Sequence, residues 1–347
     1  MLQVMNLVGG TAMAPVRGFV VWGVGMFAVL IPFLIFVSIG WPPHPDRCTH
    51  IVNHVQEAAT KEVNGVTVPD PEHPDTCYCE AFSVEKVDTG AKGIRQPVNT
   101  LSNLYAVGSS LVVAFFIYYD RKKAKMWGVS RNLFHDPDSW VADVYIFAML
   151  FLGLGSMWFH ASLSASVSWF DGMSMYIFSA FLPAYSIRRR WPAVGGWFYM
   201  IYFGIAVTCT VLNILAEVLM DEPGWVSMAL VGSVIFSYFL VEYFIKCKDK
   251  NKAGGWCPWI HTLADGCRDR WLGPAIAFWI AALLSFGTAV VFQILSQTGG
   301  PLCHRDSWFQ PHGLLWHTLS GVMAIMLYFY WRGLRDNEMR AIAETSS

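Results

Sequence analysis

The chain has 347 residues, 54% of them hydrophobic and only 14% charged, with 16 Trp and a formal net charge of -1. A mean hydropathy of +0.40 over that length excludes a soluble globular enzyme and a nucleic-acid binder, and predicts an all-α, polytopic membrane protein. Net charge near zero carries no further information, whereas the position of each charge along the chain does.

The first apolar run extends from Gly18 to about Gly40 and is preceded by Arg17. It is longer than the roughly 7–15 residues of a signal-peptide core and long enough for about 30 Å of hydrocarbon, so a retained membrane helix is expected. Trp41-Pro-Pro-His-Pro ends it, and a polar stretch follows to about Gln96 that holds Cys48, Cys77 and Cys79 and reads as a lid or small outer domain. Seven further apolar segments are expected at about 98–119, 141–160, 169–187, 196–218, 225–245, 272–297 and 312–331. The expected organisation is therefore a tail and additional helix over 1–40, an outer segment over 41–97, a seven-helix core over 98–331 and a tail over 332–347. Basic residues fall on alternate connections: Arg121 to Arg131, Arg188 to Arg190, Lys246 to Arg270, and Arg332 to Arg340. The positive-inside rule makes those connections and both termini cytoplasmic, and puts the 41–97 segment outside.

With that topology, polar residues from four helices fall in one layer at the outer face. Ser156 and His160 are four apart and share a helix face, Asp171 follows across a short turn, Asn99 and Ser102 begin an earlier helix, and Pro311, His312 and His317 begin the last. Ionisable groups at membrane depth are functional suspects by default. Three converging imidazoles point to zinc, whose catalytic sites typically have three protein ligands and an open position, so His160, His312 and His317 are the candidate metal ligands. His312 and His317 are five apart, about 140° on a regular helix, so both can face one ion only if the turn between them widens. One turn at about 4.4 residues brings them back to within roughly 50°, and Pro311 and Gly313 favour such a distortion. The competing arrangement uses His160, His317 and Asp171, with His312 displaced.

Pro97-Val-Asn-Thr-Leu-Ser-Asn, Gly155-Ser-Met-Trp-Phe-His160 with Asp171 eleven residues on, and His312-Gly-Leu-Leu-Trp-His317-Thr-Leu-Ser together resemble the alkaline ceramidase family. That family belongs to a superfamily of seven-helix membrane hydrolases that also includes adiponectin-type receptors and GPI-anchor lipid-remodelling proteins. The resemblance covers roughly residues 77–331 and leaves the first helix as an addition. It implies zinc on His160, His312 and His317 beside Ser156 and Asp171, hydrolysis of the linear amide bond of a ceramide-like lipid from the bilayer, and a disulfide between Cys79 and Cys303 that leaves Cys48 with Cys77. Calcium is not predicted, because only Glu80 clearly matches the acidic cluster that some animal members use. In this scheme Asp171 manages the proton and Ser156 steadies the oxyanion or the water. An acyl-ester lipid hydrolase and a lipid-binding receptor with structural zinc are the alternatives. Cys257 and Cys267 read as ordinary thiols and Cys209 as packing; Glu217 and Asp221 mark a solvated helix end. Oligomeric state and the identity of the membrane stay open.

Overall fold

A segment apolar on every face is stable in lipid only when its backbone is hydrogen-bonded within itself, and it therefore folds as a helix. The computed structural model describes residues 15–41, 60–63, 66–69, 79–80, 92–127, 132–191, 196–219, 224–252, 273–297, 300–304 and 307–334. These form α1 (Arg17–Ile39), a hairpin of β1 (Thr60–Val63) and β2 (Val66–Pro69), and a short α2 (Pro97–Ser102). There follow α3 (Leu104–Trp127), α4 (Val141–Ser162), α5 (Ala165–Arg190), α6 (Phe198–Leu219), α7 (Gly224–Lys252) and α8 (Gly273–Leu295). The last helix, α9 (His312–Gly333), opens with a π-helical turn over His312–His317 and is α-helical over Thr318–Gly333.

Among the described residues, seven helical spans are long and apolar enough to cross a membrane: α1, α2 with α3, α4, α6, α7, α8 and α9. The chain is thus an all-α polytopic membrane protein, with the antiparallel hairpin as a small addition in the 41–97 segment. Helix α5 has the length, 26 residues, but Ser168, Asp171, Ser174, Ser179 and Ser186 lower its apolarity. It packs on α4, α6 and α7, so much of its polar surface meets protein rather than lipid. At the centre lies α4, with 78% of its apolar span buried against 6% for α1.

Lipid tails are as apolar as Leu, so helices in a membrane are held by close packing and by polar contacts. An aromatic cluster supplies the first: Trp331 stacks on Phe134 at 5.7 Å and meets Tyr145 and Tyr185 edge-on at 5.3 and 5.0 Å. Three buried carboxylates supply the second, all at the end of the bundle where α4 begins and α3, α5 and α9 end. Asp143 accepts from Arg17 and twice from Arg121, each at 2.8 Å. Asp120 accepts from Arg332 at 2.6 and 2.8 Å and from Tyr328 at 3.0 Å. Glu242 is held by Arg189 at 2.8 and 2.9 Å, Ser186 at 2.5 Å and Tyr330 at 2.6 Å. Several of the basic residues that signal topology in the sequence are therefore also structural pins.

Helix α1 lies on α3 and α4, with Trp22 Nε1 donating to Ser110 Oγ at 3.0 Å. Its other end carries Trp41, which packs among Phe33, Phe36 and Trp158 and donates from Nε1 to the Gly93 carbonyl at 2.8 Å. That contact fixes the strand of chain leading to Gln96. The expected Cys79–Cys303 disulfide is present, with Cα atoms 5.3 Å apart. Cys209 is a buried free thiol in α6, as expected for packing. Cys48, Cys77, Cys257, Cys267, Asp221 and the tail after residue 334 lie outside the described residues.

Candidate metal centre

The end of the bundle opposite the buried carboxylates is assembled from four helix ends. Helix α4 delivers Ser156 and His160 on one face, and the turn after it contains Leu163 in the left-handed region at φ 50°. That turn reverses the chain into α5, whose second turn bears Asp171. Gly155 lets the two helices close: a Cβ there would lie 3.0 Å from the Phe170 carbonyl oxygen and from Ser174 Cβ. Helix α2 brings Asn99 and Ser102, and the π-helical turn of α9 brings His312 and His317.

The ligand nitrogens of His160, His312 and His317 all lie within 4.8 Å of one another, and all three side chains are buried. The i,i+5 pair meets as the wide turn requires, because the π-helical stretch begins at His312 and ends at His317. Gly313 has a different reason to be glycine from relaxing the backbone. A Cβ there would come within 2.8 Å of Asn99 Oδ1 and 2.9 Å of Ser102 Oγ, so its absence lets α9 seat against α2. Asp171 is not one of the three clustered groups; it lines the same cavity together with Ser156.

Hydrogen bonds decide which nitrogen each imidazole offers. His160 Nδ1 lies 2.9 Å from Gln96 Oε1, and His312 Nδ1 lies 2.5 Å from Gln293 Oε1. Amide oxygens only accept, so both Nδ1 atoms carry the proton. His317 Nδ1 lies 2.7 Å from Ser102 Oγ, whose single proton is given to the Asn99 carbonyl at 2.9 Å, so here too Nδ1–H is the donor. All three rings are thereby held as the tautomer with its lone pair on Nε2, the arrangement by which outer oxygens orient metal-binding histidines. Tyr105 stacks on His317 at 5.6 Å and 16°. Three neutral, oriented imidazoles in a buried pocket fit a divalent transition metal such as zinc; hard cations such as calcium and magnesium prefer oxygen ligands.

Gln96 is positioned twice. Its backbone N–H donates to the His160 carbonyl at 3.2 Å, and its Nε2 donates to the Glu80 carbonyl at 3.2 Å. Glu80 in turn accepts from the backbone N–H groups of Val98 and Asn99 at 2.7 Å each, which satisfies the start of α2. Burial raises the Glu80 pKa above its ordinary value, and those two N–H groups pull it back in part. The disulfide anchors this turn through Cys79, next to Glu80, and ties it to the loop that leads into α9.

In front of the histidines lies an open cavity of about 640 Å³, the solvent at its mouth included. Its lining is largely apolar, with Leu152, Met175, Phe178, Ile235 and Phe286, and also includes Ser156, Asp171 and the three clustered histidines. Comparison with protein-family models and with curated proteins finds no match to this chain. Of the residues that shape the site, Gln293 and Tyr105 were not singled out in the sequence, nor was the role of Gln96. A polar amide at 293, inside the apolar segment 272–297, was the available signal for the first of them.

Proposed function

We propose that the protein is a zinc-dependent intramembrane hydrolase that cleaves the amide bond of a ceramide-like lipid to a sphingoid base and a fatty acid. The observation that carries the reading is the convergence of His160, His312 and His317, each with Nδ1 tied to an oxygen, on a cavity also lined by Ser156 and Asp171. The resemblance to alkaline ceramidases in the motifs around these residues supports the same reading, with the site toward the outer or lumenal leaflet and both termini cytoplasmic, the side favoured by the basic connections.

His160, His312 and His317 would hold the metal through Nε2. Zinc, when bound, acidifies a water and polarises a carbonyl oxygen. Asp171 is the group that takes the proton from the attacking water and returns it to the amide nitrogen as the C–N bond breaks, giving a carboxylic acid and an amine. Ser156, one helical turn from His160, donates a hydrogen bond to the oxygen on which negative charge develops. The apolar wall takes the lipid chains and keeps bulk water from the reacting bond, which strengthens each of these polar contacts.

Purified full-length protein in detergent micelles tests the reading. Fatty acid should be released from ceramide, release should stop on chelation, and added zinc should restore it. Zinc-loaded protein that binds ceramide without releasing product would instead make it a receptor.

A further inference from the structure

One buried polar atom, on a residue that lines the cavity, is not accounted for by the roles above. Asn103 sits at the break between α2 and α3, is 1% exposed and lines the cavity. Its amide is fixed in one orientation, because Nδ2 donates to the Asn99 carbonyl at 2.8 Å. Oδ1 therefore points away from Asn99, and it accepts no hydrogen bond from the described residues. Buried carbonyl oxygens are nearly always paired, and one kept without a donor is costly unless something else supplies it. The residue also adjoins the site in sequence. Asn103 follows Ser102, whose Oγ orients His317, and its backbone is locked against α4, where a Cβ on Gly153 would meet the Asn103 carbonyl oxygen at 2.8 Å.

We infer that Asn103 reads the substrate, its Oδ1 accepting a hydrogen bond from the N–H of a secondary amide. The inference rests on the hydrolase reading and names the residue by which the site would prefer its amide to an ester. An N–H is the donor nearest the reacting carbon in every secondary amide, and an ester has none. An ester bound in the same pose leaves Oδ1 buried and unpaired, which is how a site built to meet a donor rejects the analogue that lacks it. The contact is compatible with cleavage, since the nitrogen can donate its own hydrogen to Asn103 while its lone pair receives a proton from Asp171.

The test uses the zinc-loaded full chain, a short-chain ceramide, the matched ester in which oxygen replaces N–H, and the N-methylated ceramide. The quantity read is the ratio of kcat/KM for ceramide to that for the ester. Asn103→Leu should lower this ratio about 10- to 100-fold at unaltered zinc content, the effect of removing the partner of one buried N–H. A ratio within about twofold of the wild-type value, with both activities falling together, would reduce Asn103 to an anchor of the α2–α3 joint, or to a holder of a water, and overturn the inference. Wild-type protein alone gives a second reading that needs no folded variant: N-methylated ceramide should behave like the ester, and turnover equal to that of ceramide would overturn the inference. If wild-type protein cleaves neither lipid, the hydrolase reading fails separately. Competition binding of the same three lipids then decides the role of Asn103, with tighter binding of ceramide than of the other two supporting it and equal binding refuting it.

Discussion

A histidine binds a metal through a nitrogen that carries a lone pair, and here three oxygens choose that nitrogen. Gln96, Gln293 and Ser102 each accept a hydrogen bond from Nδ1–H, so the rings need no rearrangement of tautomer to receive an ion. Gln293→Leu should therefore weaken zinc about 10- to 100-fold, as read by competition with a metal chelator of known affinity, and an unchanged affinity would deny the orienting role. Asp171 and Ser156 are in a different class, since neither is assigned as a ligand. Asp171→Asn and Ser156→Ala should keep zinc, and Asp171→Asn should lose about 10² to 10⁴ in turnover. Wild-type turnover in a folded Asp171→Asn protein would remove Asp171 from the chemistry. At this scale the groups that bear charge or bind metals were legible, because an imidazole or carboxylate in an apolar run stands out. The amides Gln96, Gln293 and Asn103 were not read for these roles, because neutral polar residues are common near helix ends and their orientation depends on tertiary partners.

The elements most readable in the sequence were the apolar helices, whose centres follow from composition alone. Their ends were not readable in the same way. α3 was expected to stop near residue 119 and runs to Trp127, and α7 was expected to stop near 245 and runs to Lys252. Both continue through lysines because a helix leaving the membrane loses its apolarity before it loses its backbone hydrogen bonds. The β1–β2 hairpin was missed although Asn64-Gly65, a strong hairpin signal, separates its two strands. The wide turn of α9 was legible for a geometric reason: two histidines five apart cannot face one point on a regular helix, and the stretch between them is π-helical. Its seat was not, because the closeness of Gly313 to α2 is set by residues more than 200 positions away. Gly313→Ala would put a methyl group 2.8 Å from Asn99 Oδ1 and 2.9 Å from Ser102 Oγ. The expected result is a protein that still folds but has lost tightly bound zinc, because Ser102 can no longer hold His317; retention of one zinc per chain would show that the contact yields.

The molecule as a whole is polarised along its axis, with oriented histidines at one end and paired carboxylates at the other. The second end ties the helices to one another through buried ion pairs. Asp143 bridges α1 and α3 through Arg17 and Arg121, so Asp143→Ala leaves two buried guanidinium groups without their counter-charge. Breaking a buried ion pair from one side costs about 3–5 kcal/mol, and a lowered unfolding midpoint in detergent should report it. A midpoint equal to that of the wild type would mean that these ion pairs do not hold the helices together. None of this architecture carries the proposed chemistry unless the three histidines form one metal centre. The zinc content of the purified whole chain, wild type against His312→Ala, tests that directly. The wild type should hold one zinc per chain and the variant should lose it, whereas full retention of tightly bound zinc by His312→Ala would contradict the account.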